Sequence, residues 1–120
     1  MPYKPHENWL LPFLKRVRSR PGMWLGDETV WTLATFILGY TQGREHLGIP
    51  PYNSRESLIL SGFNDWLASK SDDRRSLDWP GRVNSMDNSK HNIQTFFRLL
   101  DEFASETKLD ITTDIGDWPP

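Results

Sequence analysis

Residues 91–105 read HNIQTFFRLLDEFAS, and this stretch decides the fold class. Ile93, Phe96, Phe97, Leu100, Phe103 and Ala104 recur at three- and four-residue intervals, which places them on one face of an α-helix. Asp87 or Asn88 supplies the side-chain oxygen with which such a helix opens. A face holding three phenylalanines has to be covered, so the rest of the chain must provide other apolar faces.

Three segments upstream do so. Asn8 is placed to cap a helix carrying Trp9, Leu10, Phe13, Leu14 and Val17, with Pro12 in its first turn and an end at Arg20, before Pro21. Pro21-Gly22 then reads as a turn, and Met23, Trp24 and Leu25 as an apolar plug between two helices. Asp27 is the expected cap of the second helix, along which Val30, Leu33, Ala34, Ile37, Leu38 and Tyr40 form a stripe. Trp31 and Phe36 widen that stripe, so this helix is expected to be central. Gly43 or Gly48 ends it, and Pro50-Pro51 keeps the next linker extended. Ser54 opens a third helix with Leu58, Leu60, Phe63, Trp66 and Leu67.

After the polar run SKSDDRRSLD, Trp79-Pro80-Gly81 reads as a turn before the last helix. In the tail the period changes: Leu109, Ile111, Thr113 and Ile115 alternate with polar residues, which suits a short strand or an extended strap. The expectation is a mainly α, single-domain bundle of about four helices over residues 1–120. Residues 107–120 form an acidic extended or short β tail.

Composition agrees with one compact domain. The 120 residues are only 37% apolar, but six Trp, six Phe and three Tyr bury large areas per residue. Without cysteine, disulfides and thiolate chemistry are excluded. The N-terminal MPYKPHENWLLPFLKR is too polar for a signal peptide, and no apolar run approaches the ~18 residues of a membrane span. A cytoplasmic location with no membrane contact is expected. The net charge of −2 conceals a polarity: residues 1–20 hold five Lys/Arg against one Glu, and residues 101–120 hold six Asp/Glu against one Lys.

The chemistry-bearing residues point away from catalysis. His6, His46 and His91 are the only histidines, and no two lie three or four residues apart as metal ligands on one helix face would. No Gly-x-Ser-x-Gly elbow or phosphate-binding Gly-rich loop occurs, so neither a cofactor nor a metal is expected. Lys15, Arg16, Arg18 and Arg20 offer a basic foothold for nucleic acid, although cations also complement the C-terminal end of the helix that bears them. The acidic residues suggest a different partner. Asp72, Asp73 and Asp78 flank the mid-chain loop beside Trp79, and Asp110, Asp114 and Asp117 surround Trp118. Such a surface suits capture of a basic protein, with carboxylates speeding encounter and an indole anchoring the complex.

Two resemblances bear on function. Arg16–Asp27, RVRSRPGMWLGD, resembles the opening segment of the ATPase domain of DNA gyrase B. There the next helix carries a Glu base and an Asn that holds magnesium; here it reads TLATFILGY, with neither, so the likeness implies no ATP hydrolysis. The order RPGMWLG, FILGY, GFNDWL, SLDWPG and FFRLLDEF, over residues 10–104, resembles a group of small bacterial helical proteins that includes immunity proteins of contact-dependent toxins. That resemblance implies a non-enzymatic protein that covers the active site of a cognate toxin, a nuclease with a basic cleft. The alternative is a small nucleic-acid-binding regulator using Lys15–Arg20.

Overall fold

The computed structural model describes residues 10–48, 54–72, 75 and 77–108. These form six helices: α1 (Leu10–Ser19), α2 (Pro21–Leu25), α3 (Val30–His46), α4 (Ser54–Lys70), α5 (Trp79–Met86) and α6 (Ile93–Thr107). The mainly helical expectation holds. Asn8 and the alternating tail from Leu109 onward lie outside the described residues.

The last helix has the face its sequence dictates. Ile93, Phe96, Phe97, Leu100 and Phe103 are all buried, and Leu99 joins them. Against this face α4 sets Ile59, Phe63, Trp66 and Leu67, and α5 adds Trp79 and Val83. Leu10, Leu11, Leu14 and Val17 of α1 and Val30, Leu33 and Ile37 of α3 complete the core. Aromatic rings meet at its centre. Phe63 lies edge-on to Phe96 and to Phe103, each with centroids 5.6 Å apart, and Trp79 tilts against Phe96 at 5.0 Å.

The two helices beyond the expected four stand where turns were expected. Pro21 opens α2 and Pro80 sits in the first turn of α5. Proline lacks only an N–H that the first helical turn leaves unpaired in any case, and its fixed φ is already helical. The positive backbone angle of the first connection therefore falls at Gly26, not at Gly22. Gly26 adopts φ +81° and donates its N–H to Gly22 O at 2.9 Å, which ends α2. The apolar plug is also revised, because Met23 and Trp24 are exposed and only Leu25 packs on the core.

Capping moves by two residues at α3. Thr29, not Asp27, is the cap, and its hydroxyl accepts the N–H of Thr32. Asp27 stands one shell further out, where its carboxylate accepts from the Thr29 N–H at 3.0 Å and the Thr32 hydroxyl at 2.9 Å. The backbone bond from Thr29 is the main reason that the Asp27 carboxyl titrates below its ordinary range.

Asp87 does not open α6 either. It closes α5, accepting the Thr95 hydroxyl at 2.5 Å and the Ser89 N–H at 3.0 Å. The Thr95 bond is the largest cause of its lowered pKa, from an ordinary 3.8. A carboxylate held low in the folded state contributes stability that is fully present above 3.8 and is lost as pH falls through the lower folded value. Thr95→Val is therefore expected to flatten the acid-side loss of melting temperature below that pH. An unchanged slope in thermal melts across that range would remove Thr95 from the account.

Candidate functional site

The surface expected to bind a partner divides in the structure. Asp73, Asp110, Asp114, Asp117 and Trp118 lie outside the described residues. Asp72 and Asp78 are exposed on the connection from α4 to α5. This connection is held from inside: buried Arg82 donates to the carbonyls of Leu77 and Arg75, both at 3.1 Å. Asn64 of α4 accepts the Trp79 N–H at 2.6 Å and so does the capping that Asp78, at the cap position, does not. Trp79 itself is 7% exposed and leans on Phe96. Its indole belongs to the core, which corrects its expected role as a surface anchor.

Charge on α6 is paired internally, in part by a cation from the start of the chain. Arg18 makes a bidentate bond to Asp101, with Nη1–Oδ1 at 2.9 Å and Nη2–Oδ2 at 2.7 Å, while its guanidinium covers the Phe97 ring at 5.5 Å. Glu102 pairs with Arg98 and Glu106 with Lys70, each at 3.0 Å. The basic run thus gives its middle cation to α6, and α6 presents little unneutralised charge. A cavity of about 410 Å³ between Arg18, Pro21, Glu28, Ile93 and Phe97 has the same character, because Arg18 is held by Asp101 and Glu28 by His91 at 3.1 Å. Among the described residues no three His, Asp, Glu or Cys side chains converge to hold a metal ion, and no helix is long and apolar enough to cross a membrane.

The prominent surface lies on α2 and α3. Helix α3 buries Val30, Leu33, Ile37, Thr41 and Arg44, yet Trp31 is 50% exposed, Phe36 40% and Leu38 61%. Phe36 stacks on Phe13 of α1 at 4.6 Å, and Phe13 meets the edge of Trp24 at 6.5 Å. Trp24, Phe13 and Phe36 therefore form one continuous aromatic surface. It runs on into a shallow groove of about 320 Å³ walled by Trp31 and Phe36 over a floor of Thr32 and Thr35. The cause is compositional: α3 has apolar side chains on nearly every side, and one buried stripe accommodates only part of them. Its expected central position is corrected accordingly. No charge occurs from Val30 to Gly43, in a chain where 25% of residues are charged.

Large contiguous apolar surface on a small protein marks a place where another molecule docks. Flat aromatic walls with hydroxyls between them suit a protein side-chain surface. No protein-family model, curated protein or solved structure matches this chain.

Proposed function

We propose that this protein is an inhibitor of the immunity class, which binds a cognate bacterial toxin and blocks it by covering its active site or substrate path. The observation that supports the reading best is the charge-free aromatic face of α2 and α3. Blocking by coverage requires a stable scaffold with a dockable surface and no chemistry of its own. The order of motifs from RPGMWLG to FFRLLDEF, which resembles that of small immunity proteins, supports the biological class. The exposed carboxylates Asp72 and Asp78 add a long-range attraction for a basic nuclease cleft, and act on encounter more than on lifetime.

Co-expression with each candidate toxin encoded beside the chain tests the proposal. The wild-type chain is expected to protect cells and to copurify with the toxin. Trp31→Ala combined with Phe36→Ala should abolish protection, since aromatic anchors of this kind each contribute about 2 kcal/mol or more to a complex. Asp72→Asn with Asp78→Asn should slow association at low salt and leave dissociation unchanged. Failure of the wild type to protect against or bind any neighbouring toxin would sink the proposal. Full protection by the Trp31 and Phe36 double variant would move the contact surface elsewhere.

A further inference from the structure

We infer that, when no toxin is bound, a second copy of the chain covers the α2–α3 face, with two α3 helices crossing antiparallel about a two-fold axis at Gly39. This rests on reading that face as a protein-binding surface, and it supplies the surface with a resident occupant.

Area is the first argument. Met23, Trp24, Trp31, Phe36, Leu38 and Tyr40 are between 40% and 62% exposed. With side chains of this size, on the order of 100 Å² of each stays uncovered. The patch then reaches roughly 600 Å², the upper end for a monomer and close to the ~800 Å² per partner of a stable interface.

Charge is the second. A two-fold interface must be complementary to itself, because the same patch faces its own copy. A patch of one sign repels its copy; this one has no charge from Val30 to Gly43. Apart from Asp27, whose carboxylate accepts from Thr32 at its edge, the patch carries nothing that would repel its own copy.

Shape selects the helix that lies at the axis. At 100° per residue, Thr35, Gly39 and Gly43 run along the outer ridge of α3 opposite its buried stripe. Trp31 and Leu38 stand on one flank, Phe36 and Tyr40 on the other. A Cβ built on Gly39 or Gly43 meets nothing within 4 Å, so no neighbour inside the molecule requires glycine at either position. Each nevertheless weakens the helix by about 1 kcal/mol relative to alanine. A bare ridge lets a second backbone approach closely. In an antiparallel two-fold crossing like flanks meet: Leu38 faces its own counterpart, and Phe36 faces Tyr40 of the partner subunit.

Sedimentation equilibrium of the free chain at tens of micromolar should give twice the 14.0 kDa chain mass. At a concentration low enough for both chains to be monomeric, Gly39→Gln with Gly43→Gln should melt at the same or a higher temperature, since both side chains enter open space, while at higher concentration the dimer weakens by roughly 30-fold or more. Because the chain has no cysteine, Gly39→Cys reports the axis directly. It should form a disulfide-linked dimer on mild oxidation, whereas Arg98→Cys, exposed on α6, should not. A monomeric wild type, a double-glutamine variant that dimerises unchanged, or equal cross-linking at both sites would each overturn the inference. A monomer that still protects cells would end self-association and leave toxin binding standing. A dimer that protects against no toxin would do the reverse.

Discussion

Phe96→Ala should destabilise the protein by about 4 kcal/mol, a large part of the 5–15 kcal/mol typical of a domain this size. Phe96 is fully buried and is the ring at which three helices meet: Phe63 of α4 and Trp79 of α5 contact it, and Phe97 is its neighbour on α6. Truncation removes the apolar transfer energy of a phenyl group and leaves a cavity. The surrounding rings are too rigid, and too committed to one another, to fill it. Phe96→Leu keeps most of the volume and should lose less than half as much. Urea unfolding decides between a local and a central role. A central ring lowers the midpoint with an unchanged m value, whereas a loss below about 1 kcal/mol would mean that α4 and α5 hold together without it.

The same ring shows why this part of the fold was legible in the sequence. Phe96, Phe97, Leu100 and Phe103 repeat at helical spacing on a segment with no competing breaker, so pattern and structure coincide. Pattern reading failed where proline had two meanings. Pro21 and Pro80 each suit a turn or the first turn of a helix, and the difference depends on what caps the N–H groups that follow. For α5 that cap is Asn64, fifteen residues away, which no local rule detects. The site was legible only in part. Trp79 and an exposed tryptophan have the same letter, and it is packing against Phe96 that places Trp79 inside. The excess of apolar residues on α3 was visible, but it read as a central helix. The missing charge from Val30 to Gly43 pointed the same way, and only the structure shows that α3 packs through Val30, Leu33 and Ile37 and leaves Trp31, Leu38 and Tyr40 exposed.

Asn92→Ala should cost about 3 kcal/mol, the scale of a buried donor left unpaired together with the loss of its other bonds. Asn92 is 1% exposed and stands immediately before α6. Its Oδ1 accepts the N–H of Val30, the first residue of α3, at 2.8 Å. Its Nδ2 donates to the Asp87 carbonyl at 3.0 Å and to Asn84 Oδ1 at 3.2 Å. In the reverse direction, the N–H of Ile93 donates to the Glu28 carbonyl at 3.0 Å. Two helix N-termini thus satisfy each other's first N–H groups, and the end of α5 is tied to the same amide. Alanine strands the buried Val30 N–H, which water cannot reach, and also frees two part-buried acceptors at Asn84 and Asp87. Asn92→Asp separates the contributions: its oxygen still accepts from Val30, but both donations are lost and a carboxylate faces two acceptors. It should therefore also be destabilised, and hydrogen exchange should show faster opening at Val30 in alanine but not in aspartate. Wild-type stability in the aspartate variant would reduce Asn92 to a cap for α3. Equal destabilisation with slow exchange at Val30 in both would place its value in the α5 connection, at Asn84 and Asp87.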